Sequence, residues 1–423
     1  MNTFWNKARL IFSDQAIVRR IIFTIVMLVL FRFGDAVPIP GVNQARLAAF
    51  VAGNNFFGLL SLFSGGGISR MSIFMLGVGP YITATIIMQL LTMVFPKLKE
   101  LYQEEGDAGR RKFAQYSRIL AVPLSLVQGF AFLALLRSQG VLGVISSSDM
   151  IINLLVITGG ALLVMWIGEL ITEFGISNGT SLIIFAGIVS RIPTIGTQLF
   201  ATYNPADLPV YIFFVVLAIL VIAAVVFITE AERPIPVTYA KQVRGSRVYG
   251  GASTYLPLRV NQSGVIPIIF ALSILLFPQV IATFLAGINS DIAHGIANAI
   301  KFVVENPWIY SATYFILVFA FTYFYTAVTF DPDTIATNLQ KNGAFIPGIR
   351  PGRSTSEYLA AVLTRLTFVG ALFLAVIAVL PLVLQQVTGN ATLAIGGTGL
   401  LIVVSVILEL VKQLDAQVSM KEY

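Results

Sequence analysis

Long apolar runs alternate with short polar connections along the chain, and ten of the runs are candidate membrane spans. They lie near residues 21–37, 73–95, 119–136, 150–168, 180–198, 209–229, 262–285, 308–328, 366–384 and 393–411. Each approaches the ~20 apolar residues that a helix needs to cross a bilayer core. Repeated runs of this length suit helices and not barrel strands, which are about half as long and alternate in polarity. One apolar piece breaks the pattern. Phe56 to Phe63 reads FFGLLSLF, too short to span, and the glycines Gly65, Gly66 and Gly67 and then Arg70 follow it. No further charge appears until Lys97. A short apolar segment is thus hinged by glycine to a full-length run. Broken backbone at membrane depth survives only where protein buries it or where it lines a cavity, and such a pairing points to a transport path. A greasy outside loop is the plainer alternative. Residues 1–20 place Phe4, Ala8, Ile11 and Phe12 at helical spacing, with Lys7 and Arg9 elsewhere on the turn. That suits a helix lying on the membrane surface, a flexible tail being the alternative.

The charges test the count. With ten spans and the N-terminus inside, 21 Lys and Arg fall inside and 6 outside. The fifth run is interrupted by Arg191 and Pro193. Removing it reverses everything after it and leaves 12 inside against 15 outside, so the positive-inside rule requires it. Ten spans with both ends inside divide into five and five, and an odd number per half forces the halves into opposite orientations. The expected organisation is an interfacial segment over 1–20 and an N-terminal half over 21–198. Span six with its inside loop follows over 199–261, then a C-terminal half over 262–411 and an inside tail over 412–423. Three inside loops are basic: 96–118, 230–261 and 329–365. The last contains GAFIPGIRPG, Gly343 to Gly352, whose prolines and glycines specify turns.

Composition narrows the chemistry. Hydrophobic residues make up 57% and charged residues 11% of the 423, against roughly 25% charged in soluble domains. Cysteine is absent, which excludes disulfides and thiolate chemistry, and His294 is the single histidine. No GxxxxGK[ST] run exists. The first span follows Arg19 and Arg20 without a small-residue cleavage site after it, so it reads as retained. Gln89, Gln128 and Asn261 are polar positions within spans, where side chains hydrogen-bond neighbouring helices. Glu169 and Glu173 close the fourth span at the inside membrane edge. A surface role fits them better than a proton relay. GGTG, Gly396 to Gly399, reads as a helix-start turn, since no strand precedes it.

Several motifs together resemble one family. PIPG (Pro38 to Gly41), FSGG (Phe63 to Gly66), GPYITATIIMQLL (Gly79 to Leu91) and EEGDAGRRKFAQYSR (Glu104 to Arg118) resemble the SecY/Sec61 alpha family of protein-conducting channels. So do GISNGTSLIIFAGIV (Gly175 to Val189), YLPLRVNQSGVIPIIFA (Tyr255 to Ala271), NGAFIPGIRPGRST (Asn342 to Thr355) and GGTGLLIVV (Gly396 to Val404). The resemblance covers nearly the whole chain in order. It implies an all-α membrane protein with ten transmembrane helices, arranged as two inverted five-helix halves around an hourglass pore.

The same resemblance implies a waist ring at Val78, Ile82, Ile184, Ile269 and Ile402. The family usually has isoleucine at the Val78 position, and a further ring position falls on Thr180. Periodicity alone would read these as ordinary core aliphatics. A plug half-helix is implied over Phe57 to Met71, with Leu60, Phe63, Gly65, Gly66, Gly67 and Arg70 within it. A lateral gate is implied where spans two and three face seven and eight. Thr83, Gln89, Gln128, Asn261 and Phe277 would lie on it. Arg247 and Arg350 fall at positions that dock the ribosome or the motor ATPase SecA, with Ser246 where a second arginine often stands. The implied partners are SecE and SecG, signal peptides and nascent chains, and membrane lipid. The implied place is the bacterial plasma membrane, with both termini cytosolic and no enzymatic activity, metal or cofactor. An ion-coupled secondary transporter is the rival reading, but it needs ionisable residues at mid-span, and these runs nearly lack them. An insertion scaffold without a pore is the third.

Overall fold

A computed structural model describes residues 13–41, 47, 67–103, 105–138, 140–142, 146–190, 192–193, 196–197, 208–239, 242–244, 247–249, 253–286, 290–388 and 391–419. The first half contributes α1 (Gln15–Asp35), the short α2 (Gly67–Arg70), α3 (Gly79–Val94), α4 (Pro96–Gln103), α5 (Gly106–Ser138), α6 (Ser147–Phe174) and α7 (Gly179–Val189). Then come α8 (Leu208–Glu230) and the strands β1 (Glu232–Tyr239), β2 (Gln242–Arg244), β3 (Arg247–Tyr249) and β4 (Ser253–Arg259). The chain ends with α9 (Ile266–Ala286), α10 (Asp291–Glu305), α11 (Pro307–Thr329), α12 (Pro332–Lys341), β5 (Ala344–Phe345), α13 (Arg353–Thr388) and α14 (Ala391–Ser419).

Each of the ten predicted runs falls on a helix. Among the described residues, five helices are individually long and apolar enough to cross a membrane, and a sixth joins them if the bent pair α3–α4 is one span. Large apolar side chains point outward on these helices, as Val29 and Phe33 do on α1 and Ile219 and Phe227 on α8. An apolar surface of this extent has no place in water and fits lipid contact.

Several boundaries differ from the sequence reading. Asp14 caps α1 by accepting the Ala16 N–H at 2.8 Å. Residues 15–20 therefore belong to α1 and not to a separate surface helix; the rest of that expected segment lies outside the described residues. The second span starts at Gly79, not at residue 73. Residues 71–78 form turns, because the backbone of 71–73 pairs with 37–39 instead of continuing a helix: Ile39 N–H donates to the Met71 carbonyl and Ile73 N–H to that of Val37. The span ends at Phe95, extended before Pro96 as a pre-proline residue prefers, and α4 leaves at 118°. Helix α7 ends at Val189 with Ser190 in a turn; residues 191, 194, 195 and 198 of the expected fifth span lie outside the described residues. The GGTG run lies inside α14 and does not form a turn before it.

Helix contacts divide the molecule. Helices α1, α3, α5, α6 and α7 pack among themselves, and so do α8, α9, α11, α13 and α14. The two groups meet along two seams, α7 against α14 and α9 against α3 and α5.

Two of the expected loops carry a small sheet. β1 pairs antiparallel with β4, Ile235 opposite Leu256, and β5 adds to the other edge of β1, Thr238 opposite Phe345. Ile235, Val237, Leu258, Ile346 and Leu359 form its core. The 230–261 and 329–365 segments are thus one unit and not two separate loops.

Candidate functional site

The five candidate ring residues come from four helices and the turn that starts α3. Val78 is the last residue before α3, and Ile82 lies one turn on. Ile184 comes from α7, Ile269 from α9 and Ile402 from α14. All five are buried, Ile82 the least at 8% exposure, and all belong to one continuous apolar core. Residues of both seams therefore share that core. A cavity of about 480 Å³ reaches three of the five: Ile82, Ile184 and Ile269 line it together with Tyr81, Thr85, Gln89 and Thr180. An ion pair stands in its wall, Arg118 Nε to Glu169 Oε1 at 2.6 Å, joining α5 to α6. Glu173 lines the same space. Glu169 is half-buried and Glu173 exposed, so the surface role expected for both is compatible with their place at the border of this cavity.

The turn 71–78 carries Phe74 and Val78 of the same core. It is wedged between two helices through glycines. A Cβ at Gly34 of α1 would lie 2.1 Å from the Phe74 ring, and one at Gly160 of α6 would lie 2.0 Å from the Ile73 carbonyl oxygen. The Phe74 ring stacks on Phe31 at 5.9 Å between centroids.

Just outside this wedge sits a buried carboxylate, Asp35, at the end of α1. It accepts a hydrogen bond from Ser72 Oγ at 3.1 Å and pairs with Arg32 Nη1 at 2.7 Å. Ser72 also fixes the turn, since its N–H donates to the Gly67 carbonyl and its Oγ accepts the Phe74 N–H. The turn that follows α2 is therefore tied to α1 by a charge; of the expected glycine hinge, Gly65 and Gly66 lie outside the described residues. Met71 is fully buried and Arg70 is exposed. Phe57, Leu60, Phe63, Gly65 and Gly66 lie outside the described residues.

Sequence reasoning missed Asp35, although a lone acid closing an apolar run beside PIPG was a visible signal. Replacing it with alanine removes the acceptor from a buried hydroxyl and the partner from a half-buried guanidinium, at about 1–3 kcal/mol. The expected result for Asp35→Ala is a lower melting temperature and faster amide exchange over residues 67–74. Unchanged exchange there would show that the carboxylate does not hold the segment.

The expected gate positions separate. Thr83 and Gln89 are buried on α3, and Gln89 Oε1 has no hydrogen-bond partner among the described residues. Gln128 is half-buried on α5. Asn261 lies in the turn before α9, not inside a span, and its amide donates to the Gly264 carbonyl at 3.2 Å while its oxygen accepts from Ser263. Its bonds thus close its own turn instead of joining two helices. Phe277 belongs to α9. Thr83 and Gln89 thus belong to α3, Gln128 to α5 and Phe277 to α9, the helices that meet at the second seam.

The two arginines lie in different parts of these segments, Arg247 in a separate two-stranded β2–β3 sheet and Arg350 after β5. Arg247 opens β3, opposite Arg244 in the β2–β3 hairpin. Arg350 is exposed in the turn between β5 and α13. Its carbonyl accepts from Thr355 Oγ at 2.9 Å. Gly348 and Gly352 flank it at φ 83° and 100°, a left-handed backbone that favours glycine.

The SecY family model matches residues 72–411. A protein translocase subunit SecY of Corynebacterium glutamicum is 44% identical over 434 residues, covering 97% of each chain. The backbone is also similar to two solved channels. One is a SecY protein whose plug domain stabilises the closed state of the translocation channel and maintains a membrane seal; the TM-score is 0.64 and the identity 20%, over 94% of this chain and 92% of that one. The other is Sec61 in the canine ribosome–channel complex of the endoplasmic reticulum, at TM-score 0.60 and 18% identity over the same shares.

Proposed function

This chain belongs to the SecY family, and from that premise we propose that it is the pore-forming subunit of a Sec translocon in a bacterial plasma membrane. It is a protein-conducting channel subunit. It passes unfolded preproteins outward and releases apolar segments sideways into lipid. What supports this reading is that Val78, Ile82, Ile184, Ile269 and Ile402 all belong to one buried apolar core, and that Ile82, Ile184 and Ile269 also line an open cavity. An apolar constriction seals by dewetting. It reads no sequence, so any extended chain can pass once the side chains part. The second seam supports a lateral exit. A translocating apolar segment would leave between α9 and the pair α3 and α5, past Thr83, Gln89, Gln128, Asn261 and Phe277. A seam that must open is well served by polar side chains that gain little from staying shut, and the unpartnered Gln89 oxygen fits that need. The segment Phe57 to Met71 acts as the plug at the outer mouth, with its base at Gly67 to Met71.

We assign the chain no chemistry of its own. The work comes from SecA hydrolysing ATP or from the translating ribosome, docked at Arg247 and Arg350, with SecE bracing the two halves and SecG beside them. Both termini are cytosolic. The channel is favoured over an ion-coupled transporter because Glu169, the acid best placed in the cavity wall, is engaged by Arg118.

Reconstitution tests this directly. Vesicles carrying the purified complex, supplied with SecA and ATP, should protect an unfolded preprotein from external protease. Uptake that fails here, alongside gradient-driven exchange of a small solute, would point to the transporter instead.

A further inference from the structure

Helix α10 connects α9 to α11 and packs on both. Its sequence, DIAHGIANAIKFVVE, divides into three stripes at helical spacing. Ala293, Ala297 and Ile300 turn toward the protein, Ala297 being 1% exposed. Asp291, His294, Asn298 and Lys301 form an exposed polar stripe. Ile292, Ile296 and Val303 form a third stripe that is bulky, apolar and uncovered, Ile292 at 76% exposure; Phe302, also exposed, falls beside the polar stripe.

We propose that α10 is an interfacial anchor whose Ile292–Ile296–Val303 stripe is immersed in membrane lipid at the outer surface. Three observations select lipid as the occupant. Helices that pack on one another in membranes meet through small residues, and α10 spends its alanines on its own chain while turning its large side chains away. Both flanking membrane helices also turn apolar side chains outward, Ile281 on α9 and Ile316 on α11. Trp308, exposed at the start of α11, is the residue type that sits at headgroup level. A helix with one charged face and one bulky apolar face lies in the plane of the interface, its apolar side ~5–10 Å below the headgroups. The polar stripe then meets water, and the alanine stripe meets the channel. Such an anchor would fix the outer ends of α9 and α11, and α9 borders the seam proposed as the lateral gate.

The absence of cysteine permits a clean test. Ile296→Cys and Asn298→Cys, each in the full-length complex in lipid nanodiscs, carry one environment-sensitive fluorophore apiece. Lipids bearing a nitroxide high on the acyl chain should quench the 296 label about twofold more than the 298 label, as interfacial immersion requires. Aqueous iodide should show the reverse order. Iodide reaching both labels equally would place the helix in water and overturn the proposal. A 296 label reached by neither quencher would mean that another protein chain covers the stripe, which overturns it equally. The outer side rests on the orientation proposed above. In sealed vesicles an impermeant reductant bleaching the 298 label reads that side separately, and an inverted orientation would leave the quenching order unchanged.

Discussion

Arg350→Glu should reduce SecA-driven preprotein uptake at least about tenfold, the equivalent of 1.4 kcal/mol, and leave the protein folded in the membrane. Arg350 is exposed at the tip of a turn whose shape is set from within. Gly348 and Gly352 adopt left-handed backbone, and Thr355 Oγ holds the Arg350 carbonyl. The base of the turn is bound into the β4–β1–β5 sheet, with Ile346 and Leu359 in its core. None of these supports uses the guanidinium, so reversing its charge should leave the turn intact. What changes is the contact with an acidic or phosphate-bearing partner, where a charge-assisted hydrogen bond contributes about 1.5–3 kcal/mol. Arg353 provides the comparison. It is exposed too, yet its Nε already donates to Glu357 Oε1 at 3.0 Å on the surface of α13. Arg353→Glu should affect uptake less. Uptake assays in vesicles, with circular dichroism and melting as fold controls, separate the outcomes. Equal losses from both variants would mean that the loop supplies only general positive charge.

The spans were legible because burial in lipid leaves a signal that needs no partner: a run of apolar residues is enough. Contacts that depend on distant sequence were not legible. The start of α3 was misplaced because residues 73–78 are as apolar as a helix, and only their pairing with residues 37–39 turns them aside. The sheet was hidden by Pro234, Pro236 and Pro257, which argue against strands. It is tolerated because Pro234 and Pro257 face each other across the ladder, while Ile235 and Val237 alternate into a shared core. The amphipathic stripes of α10 were readable in principle but lay in a segment taken for a plain loop. Of the candidate site, the ring positions came from family resemblance alone. By spacing they were indistinguishable from other core aliphatics, and their convergence depends on four helices from two halves of the chain. Asp35 had a visible charge but an invisible partner, since Ser72 lies 37 positions away.

Ile82→Asp should convert a tight resting channel into a leaky one that still folds. The reason lies in what surrounds Ile82. It belongs to the buried cluster of both seams, yet it also lines the cavity of about 480 Å³. A carboxylate placed there is one side chain away from space that water can enter. An isolated buried charge costs several kcal/mol even after relaxation, and here the cheapest relief is to draw water into the constriction. That undoes the dewetting on which an apolar seal depends. Single-channel recordings of the purified complex should therefore show resting conductance that the wild type lacks. Ile82→Leu keeps volume and polarity and should stay tight, with a stability change below about 1.5 kcal/mol. Ile157 supplies the contrast. It is fully buried in a separate cluster with Met71, Met75 and Leu133, and it lines no described cavity wall with Ile82. Ile157→Asp would not border the cavity that Ile82 lines, so it should lower the melting temperature sharply without yielding a stable conducting species. A folded, tight Ile82→Asp channel would remove Ile82 from the seal. Equal leakage from both aspartate variants would show that conductance reports general loosening of the bundle and not a waist.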